Sequence, residues 1–268
     1  MNIENLPTLP PVEIGFLVDP FRPVIPLSLD VRRAACHAPH RHPRGQLIYA
    51  GKGVMRVVSA ARRWVVPPTQ AIWVPPDAEH MVYFPGEVSL RNLFVNPSAV
   101  DGLPETCVAL RVSPLLRELV LRAGSLENEY PVDGPIWRLM QVILDELRQA
   151  EASELQLPLA QDERLQCVLG ALLENPGDSR PIEAWAKQAC VSPRTLARLF
   201  VRETGMTFGR WRRQARLLEA VDRLGAGEPI ARVAFELGYA SQSAFTEMFR
   251  RSLGVPPAQY TRAAEEPC

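Results

Sequence analysis

Val191-Ser192-Pro193-Arg194-Thr195-Leu196-Ala197-Arg198-Leu199-Phe200 is the stretch that decides the fold, because its apolar skeleton occurs twice. Ser192, Leu196, Phe200, Gly205, Phe208 and Trp211 recur 49 residues downstream as Ser241, Phe245, Phe249, Gly254, Pro257 and Tyr260. Just upstream, Ile182 and Ala186 recur as Ile230 and Ala234 at an offset of 48. The one-residue slip falls between the two blocks, where a turn between helices can absorb it. A tight helical unit built twice and joined by a helix suits entry into two successive DNA grooves, so nucleic acid is the first partner to consider.

Local signals support a helical reading of this half. Ser192-Pro193 is a good helix start, since Ser caps free N–H groups and Pro suits the first turn. That helix is expected to end at Gly205. Phe208, Trp211, Ala215, Leu218, Val221 and Leu224 follow 3.6-residue spacing and predict a long connecting helix closed by Gly225 and Gly227. At 1.5 Å per residue, about 17 residues span roughly 25 Å. Upstream, Leu165, Val168, Leu169, Leu172 and Leu173 predict a helix stopped at Asn175-Pro176-Gly177, and another runs from about Ile182 to Ala189.

Projected at 100° per residue, Leu196, Leu199 and Phe200 share one face, and Arg194, Arg198 and Arg202 lie opposite. Arginine there can bind guanine bidentately or pair with phosphate. In the second unit Phe245, Met248 and Phe249 form the buried face and leave Ser243, Thr246, Glu247 and Arg250 outward, with Gln242 at the helix start. The connecting helix carries Arg210, Arg212, Arg213 and Arg216, which serve either phosphate or solvent.

Charge agrees. From Arg180 to Arg262 there are 14 Lys and Arg against 7 Asp and Glu, a net of +7, whereas residues 1–179 carry 16 against 21, a net of −5. The overall balance of zero therefore hides a basic segment on a mildly acidic body. A helical bundle with an incidentally basic face would not explain the doubled apolar pattern.

These residues closely resemble the AraC/XylS family of bacterial transcription regulators. The family's Ser-started recognition helix reads as Val191–Phe200, continuing through Gly205, Thr207-Phe208 and Trp211 to Arg216-Leu217. Its second part reads as Ile230, Val233-Ala234, Gly238-Tyr239, Ser241, Phe245, Phe249-Arg250, Gly254, Pro256-Pro257 and Tyr260. The resemblance implies two helix-turn-helix units on adjacent major-groove segments of double-stranded DNA, with RNA polymerase as a further partner. It carries base-reading roles onto Arg194, Ala197 and Arg198, and onto Gln242, Ser243, Thr246 and Glu247. Two departures matter. Ala197 offers only a methyl, and Glu247 stands where relatives commonly carry Arg, so the first unit is expected to supply most affinity and the second to tune specificity.

Residues 1–112 read differently. Gln46–Ala50, Gly53–Ser59, Ala71–Val74, His80–Phe84 and Val88–Val95 are short runs rich in Val, Ile, Tyr, Phe and Trp, punctuated by Pro and Gly. They predict a β-sandwich or barrel. Val112–Ala123 and Ile136–Gln149 then take helical spacing. The stripe Ile136, Leu139, Met140, Ile143, Leu144 and Leu147 either packs on its own domain or forms a dimer seam. The polar stretch near Pro158 separates an N-terminal domain, residues 1–155, from a C-terminal one, residues 161–262. The AraC/XylS resemblance implies that the second binds DNA and that the first is a cupin-like domain for sensing and dimerisation. The expected class is α+β, with a β-barrel domain flanked by helices and an all-α domain.

All four histidines lie between His37 and His80. His40-x-His42 followed by Gln46 and Gly53 resembles the first motif of cupin barrels, and Pro75, Asp77 and His80 stand where the second motif has Pro, Gly and His. That resemblance implies a metal site of two His and a carboxylate from the first motif plus a His from the second. Here Gln46 replaces the carboxylate and leaves His40, His42 and His80 as a three-imidazole set. The competing reading is a metal-free effector pocket lined by His40, His42, Gln46, Tyr49, Trp73 and His80, in keeping with AraC-type regulators that bind small organic effectors without metal. Arg44 and Arg56 are candidate partners for an acidic effector. No cofactor is expected beyond such a metal. The tract from His40 to His80 resembles a subgroup of these regulators, some of which control drug-efflux or transporter genes.

Two functions compete at this point. One is an effector-responsive transcription activator, of efflux, transporter or catabolic genes, acting as a homodimer. The other is a metal-dependent cupin enzyme with an accessory helical domain, which the missing carboxylate disfavours. No basic-then-apolar N-terminal segment and no membrane-length apolar run is visible, and the five scattered cysteines include no C-x-x-C pair. A reduced, cytoplasmic protein without membrane contact is expected.

Overall fold

The computed structural model describes residues 7–258 apart from 11, 18, 60, 61, 154, 155 and 226. Tyr260 and Arg262, which belong to the repeat and its flank, lie outside the described residues. Two compact units result, one of residues 7–59 and 66–153, the other of residues 62–65 and 156–258.

Among the described residues, ten strands form two antiparallel five-stranded sheets: β1 (Val24–Val31), β2 (Ala35–His40), β3 (Gly45–Lys52), β4 (Met55–Ser59), β5 (Arg62–Val66), β6 (Gln70–Val74), β7 (His80–Phe84), β8 (Val88–Val95), β9 (Val108–Arg111) and β10 (Gln156–Pro158). One sheet has the order β1-β8-β3-β6-β9, the other β10-β5-β4-β7-β2. The expected runs in β3, β6, β7 and β8 form as read, and β4 starts two residues later than expected, at Met55. β1, β2, β5, β9 and β10 are not among the runs read from the sequence; β1 and β2 each contain a proline, Pro26 and Pro39. Both are edge strands, where a missing N–H costs little in ladder bonding.

Alternation along β3 divides the side chains between two environments. Leu47 and Tyr49 join Ala71, Trp73, Leu93 and Val95 beneath two helices, α1 (Pro114–Gly124) and α2 (Pro135–Gln149). Ser113 caps α1 by accepting from the Leu116 amide at 3.0 Å, with Pro114 at its first position. The apolar stripe of α2 is spent in this core: Met140, Ile143, Leu144 and Leu147 are at most 1 % exposed. Of the two readings of that stripe, packing on its own unit is the one seen here, with Ile136 and Leu139 half-buried against the same core.

Apart from β5 and β10, the other unit is helical: α3 (Glu163–Glu174), α4 (Ile182–Gln188), α5 (Pro193–Thr204), α6 (Phe208–Gly225), α7 (Ile230–Glu236) and α8 (Gln242–Leu253). The pairs α4–α5 and α7–α8 are the two copies of the repeat, and the 18-residue α6 joins them. Ser192 accepts from the Thr195 amide and Ser241 from the Ala244 amide, each at 3.1 Å. Gly205 and Gly254 end the two helices with φ of 68° and 81°. The first copy buries Trp185, Ala186, Leu196, Leu199 and Phe200, with Phe200 edge-on to Phe208 at 5.4 Å. The second buries Val233, Ala234, Leu237, Phe245 and Phe249, with Tyr239 edge-on to Phe245 at 5.4 Å. Met248 is half-buried rather than a full member of that face. Burying one such aromatic contributes about 1.5–3 kcal/mol, enough to make each small unit depend on it.

Candidate nucleic-acid interface and histidine cluster

With its apolar face turned inward, α5 presents Arg194, Ala197, Arg198 and Arg202 to solvent. These positions are not electrostatically equivalent. Arg202 binds the Glu203 carboxylate through Nε at 3.0 Å and Nη2 at 2.8 Å, and lies 3.6 Å from Asp162. Arg194 and Arg198 make no ion pair among the described residues. Two uncommitted guanidiniums one helical turn apart can fork onto base edges or phosphate.

On α8, Gln242 and Ser243 are exposed in the first turn, and Thr246 is half-buried. Glu247 is exposed but not a bare anion, since it pairs with Arg250 at 3.1 Å and Arg251 at 3.2 Å. Those pairs draw two cations beside the carboxylate and weaken its repulsion of phosphate. Along α6 the arginines divide by task. Arg216 donates to the carbonyls of Pro176, Gly177 and Asp178 at 2.8, 3.2 and 3.2 Å, which makes it a brace for the loop after α3. Arg212 donates to the Arg180 carbonyl at 2.9 Å, and Arg213 is exposed.

In the first unit β2, the loop into β3, and β7 bring the histidines together. The imidazole ligand atoms of His40, His42 and His80 all lie within 4.8 Å of one another. Gln46, on the face of β3 opposite Tyr49, reaches His42 Nε2 at 3.1 Å and His80 Nε2 at 3.0 Å with its Oε1. Burial lowers the His42 pKa and brings that of His80 down to about 3, so both rings are neutral near pH 7. Asp77 takes a left-handed φ of 58° where the cupin-like motif has Gly, and its amide donates to the His42 carbonyl at 2.9 Å. A one-turn helix, Glu13–Phe16, covers the cluster; a Cβ on Gly15 would sit 2.7 Å from His42 Cγ.

Comparison with known proteins identifies the family. The sequence profile of the AraC-like ligand binding domain matches residues 27–173, and that of a helix-turn-helix domain matches residues 185–263. The HTH-type transcriptional regulator NimR of Escherichia coli is 37 % identical over 221 residues, covering 82 % of this chain and 81 % of NimR. The arabinose operon regulatory protein of Escherichia coli is 29 % identical over 153 residues, 55 % of this chain and 50 % of that protein. The chain belongs to the AraC family of transcriptional regulators.

An AraC-family chain of this kind is a DNA-binding regulator with a sensor unit, and the enzyme alternative falls with that assignment. Within the sensor unit the structure gathers His40, His42, Gln46 and His80 but not Tyr49 and Trp73. These two point to the other side of their sheet, where Tyr49 donates to the Pro68 carbonyl at 3.0 Å and Trp73 to the Pro104 carbonyl at 2.7 Å. Arg44 is also committed elsewhere: it is buried and donates to the carbonyls of Leu17 at 2.9 Å and Asp19 at 3.1 Å. Arg56 stands 5.6 Å over the Tyr83 ring. Sequence reasoning missed Gly15 and the carbonyls of Ala38, Arg44 and Ala78 that orient the rings, because nothing in those residue types signals such a role. No helix among the described residues is long and apolar enough to cross a membrane.

Proposed function

We propose that this AraC-family regulator is an effector-responsive activator that reads DNA mainly through Arg194 and Arg198. The observation that carries this reading is the exposure of both arginines on α5 without an ion pair among the described residues. Ala197 between them offers a methyl to thymine, and Arg202 acts chiefly on Glu203 and on Asp162 near the start of α3. Gln242, Ser243, Thr246 and Glu247 tune the second half of the site, with Arg250 held near phosphate. In this reading the chain acts as a homodimer in the cytoplasm, residues 1–155 sensing and 161–262 binding DNA, and recruits RNA polymerase. Its targets are transporter, efflux or catabolic genes; the name of the arabinose operon relative supports the catabolic option. The histidine pocket takes the effector.

Binding of the full chain to DNA flanking its own gene tests the assignment. Arg198→Ala should cost about 1–3 kcal/mol and relax the preference at one base pair. Affinity should fall steeply with salt as phosphate neutralisation demands. Salt-insensitive binding unchanged by Arg198→Ala would overturn the reading. Footprinting and transcription from the same fragment distinguish activation from repression.

A further inference from the structure

The hydrogen bonds of the histidine cluster contain a conflict that a cation resolves. His40, His42 and His80 each place Nδ1 at 2.7, 2.7 and 2.9 Å from the carbonyls of Ala38, Arg44 and Ala78. A carbonyl only accepts, so each Nδ1 carries the proton, and in a neutral imidazole Nε2 is left with a bare lone pair. The lone pairs of His42 and His80 then face the Gln46 carbonyl oxygen at 3.1 and 3.0 Å, acceptor against acceptor. Two arrangements remove the conflict. The amide can turn over so that its NH₂ donates to both rings, or a cation can take the lone pairs and the oxygen together.

We propose that His40, His42 and His80 bind one divalent transition-metal ion through their Nε2 atoms, with the Gln46 carbonyl oxygen as the fourth ligand, and that this ion is the effector or its anchor. The second clause rests on the sensor reading above; the first does not. Three imidazoles and a neutral oxygen suit zinc, iron, cobalt or nickel and leave the bound ion with its full positive charge. The carbonyls at Nδ1 are the outer-shell partners that fix tautomer and ring orientation in imidazole sites. Phe94 lies edge-on to His42 at 5.4 Å and Phe16 at 6.2 Å, so an apolar wall backs the ligands. An irregularity in the β2–β7 register between His37 and His40 re-aims His40, which is partly exposed and gives an ion its way in. Gln46 switches between donor to two empty imidazoles and ligand to the ion, so occupancy reorients a group on β3.

The full chain, stripped with EDTA and dialysed, is titrated with Zn²⁺ by calorimetry and with Co²⁺ by visible absorption. One ion per chain is expected, with the intense cobalt bands of a four-coordinate site. His80→Ala should weaken binding about 100-fold or more, and Gln46→Glu, which restores an anionic oxygen, should tighten it roughly tenfold. Because His80→Ala can disturb the core, His40→Ala at the exposed rim and Gln46→Glu give the same answer in folded protein, checked by circular dichroism. Absence of stoichiometric binding, or equal binding by wild type and His40→Ala, overturns the proposal. DNA affinity measured with and without Zn²⁺ separates the two clauses. Stoichiometric Zn²⁺ with unchanged DNA affinity upholds the site and overturns its effector role. An organic effector acting in metal-stripped protein likewise overturns the effector role and leaves the sensor reading standing, while absence of Zn²⁺ binding overturns the site itself.

Discussion

Cys190 and Gly238 occupy the same point in the two helix-turn-helix turns, each in the left-handed region with φ of 54° and 75°. The amides that follow make the same bond in both copies: Val191 to the Ala186 carbonyl at 3.0 Å and Tyr239 to the Ala234 carbonyl at 3.1 Å. The offset is still 48 at this point and becomes 49 at the capping serines, so the slip between the repeats is the single residue Ala240. One turn uses the residue type suited to φ > 0, and the other holds a cysteine there at a steric cost.

That asymmetry gives opposite outcomes for opposite substitutions. Cys190→Gly should change stability by no more than about 1 kcal/mol, relief of strain being offset by the added freedom of the unfolded chain. Gly238→Ala should destabilise by about 1–3 kcal/mol, because its Cβ would also lie 2.6 Å from the Gly177 carbonyl oxygen. Urea unfolding of the two variants measures both. Equal losses would mean that the turns are not equivalent as described.

Arg216 and Arg198 should separate stability from DNA binding. Arg216→Ala leaves the carbonyls of Pro176, Gly177 and Asp178 without their donor and should lower stability by about 1–3 kcal/mol. Arg198→Ala should leave the melting temperature within error while weakening DNA binding. A thermal melt paired with fluorescence anisotropy reads the two effects, and a stability-neutral Arg216→Ala would remove its assignment as a brace.

Arg202 should behave between these extremes. Its carboxylate partner Glu203 also accepts from the amides of Gln161 and Asp162 at 3.1 and 3.3 Å, so the pair sits at the start of α3. Arg202→Gln is expected to weaken DNA binding less than Arg198→Gln, by at least about threefold in the ratio, since exposed pairs contribute about 1 kcal/mol or less and that attachment must be given up to reach phosphate. Anisotropy titrations at one salt concentration decide the order.

Acid should destabilise the sensor unit through its histidines. In metal-free protein at low pH, the unfolded chain takes a proton at His80 near pH 6.5, and the folded ring, desolvated by burial, takes one only near pH 3. The unfolded state thus binds more protons in that window, and stability falls as pH drops from 6.5 towards 3, by about 1.4 kcal/mol for each pH unit and each proton refused. His80→Gln should flatten this dependence in melts taken with EDTA. A melting temperature constant from pH 6.5 to 4 would sink the claim that these rings stay neutral.

Periodicity made the helical half legible. Both copies, their serine caps and the arginine face of α5 depend on contacts three or four residues apart, which a linear pattern records directly. The longer apolar runs of β3, β4, β6, β7 and β8 were equally readable, whereas the short β9 and β10 and the Arg-led β5 were not named, and β1 and β2 were hidden by Pro26 and Pro39, whose tolerance comes from being at sheet edges. Tyr49 and Trp73 mark the harder limit. An aromatic in a buried strand has two faces available, and register alone assigns Gln46 to one and Tyr49 to the other. The α2 stripe was read correctly as apolar, but its partner was not visible until the sheet beneath it was in place.

By itself, the sequence determined that this chain repeats a small helical unit, exposes different residues in each copy, and belongs with DNA-binding regulators of the AraC type. It also marked His40, His42, Gln46 and His80 by their spacing. Only the tertiary structure decided which of the arginines are already spent, Arg216 on backbone carbonyls and Arg202 on Glu203. It also decided that His42 and His80 turn their Nε2 atoms towards Gln46, with a ligand atom of His40 within 4.8 Å of theirs. The reason is physical: a helix face is set by neighbours in sequence, whereas an ion pair, a tautomer or a shared oxygen is set by whichever group the fold brings within hydrogen-bond reach of it, as Gln46 is brought to 3.1 Å of His42 and 3.0 Å of His80.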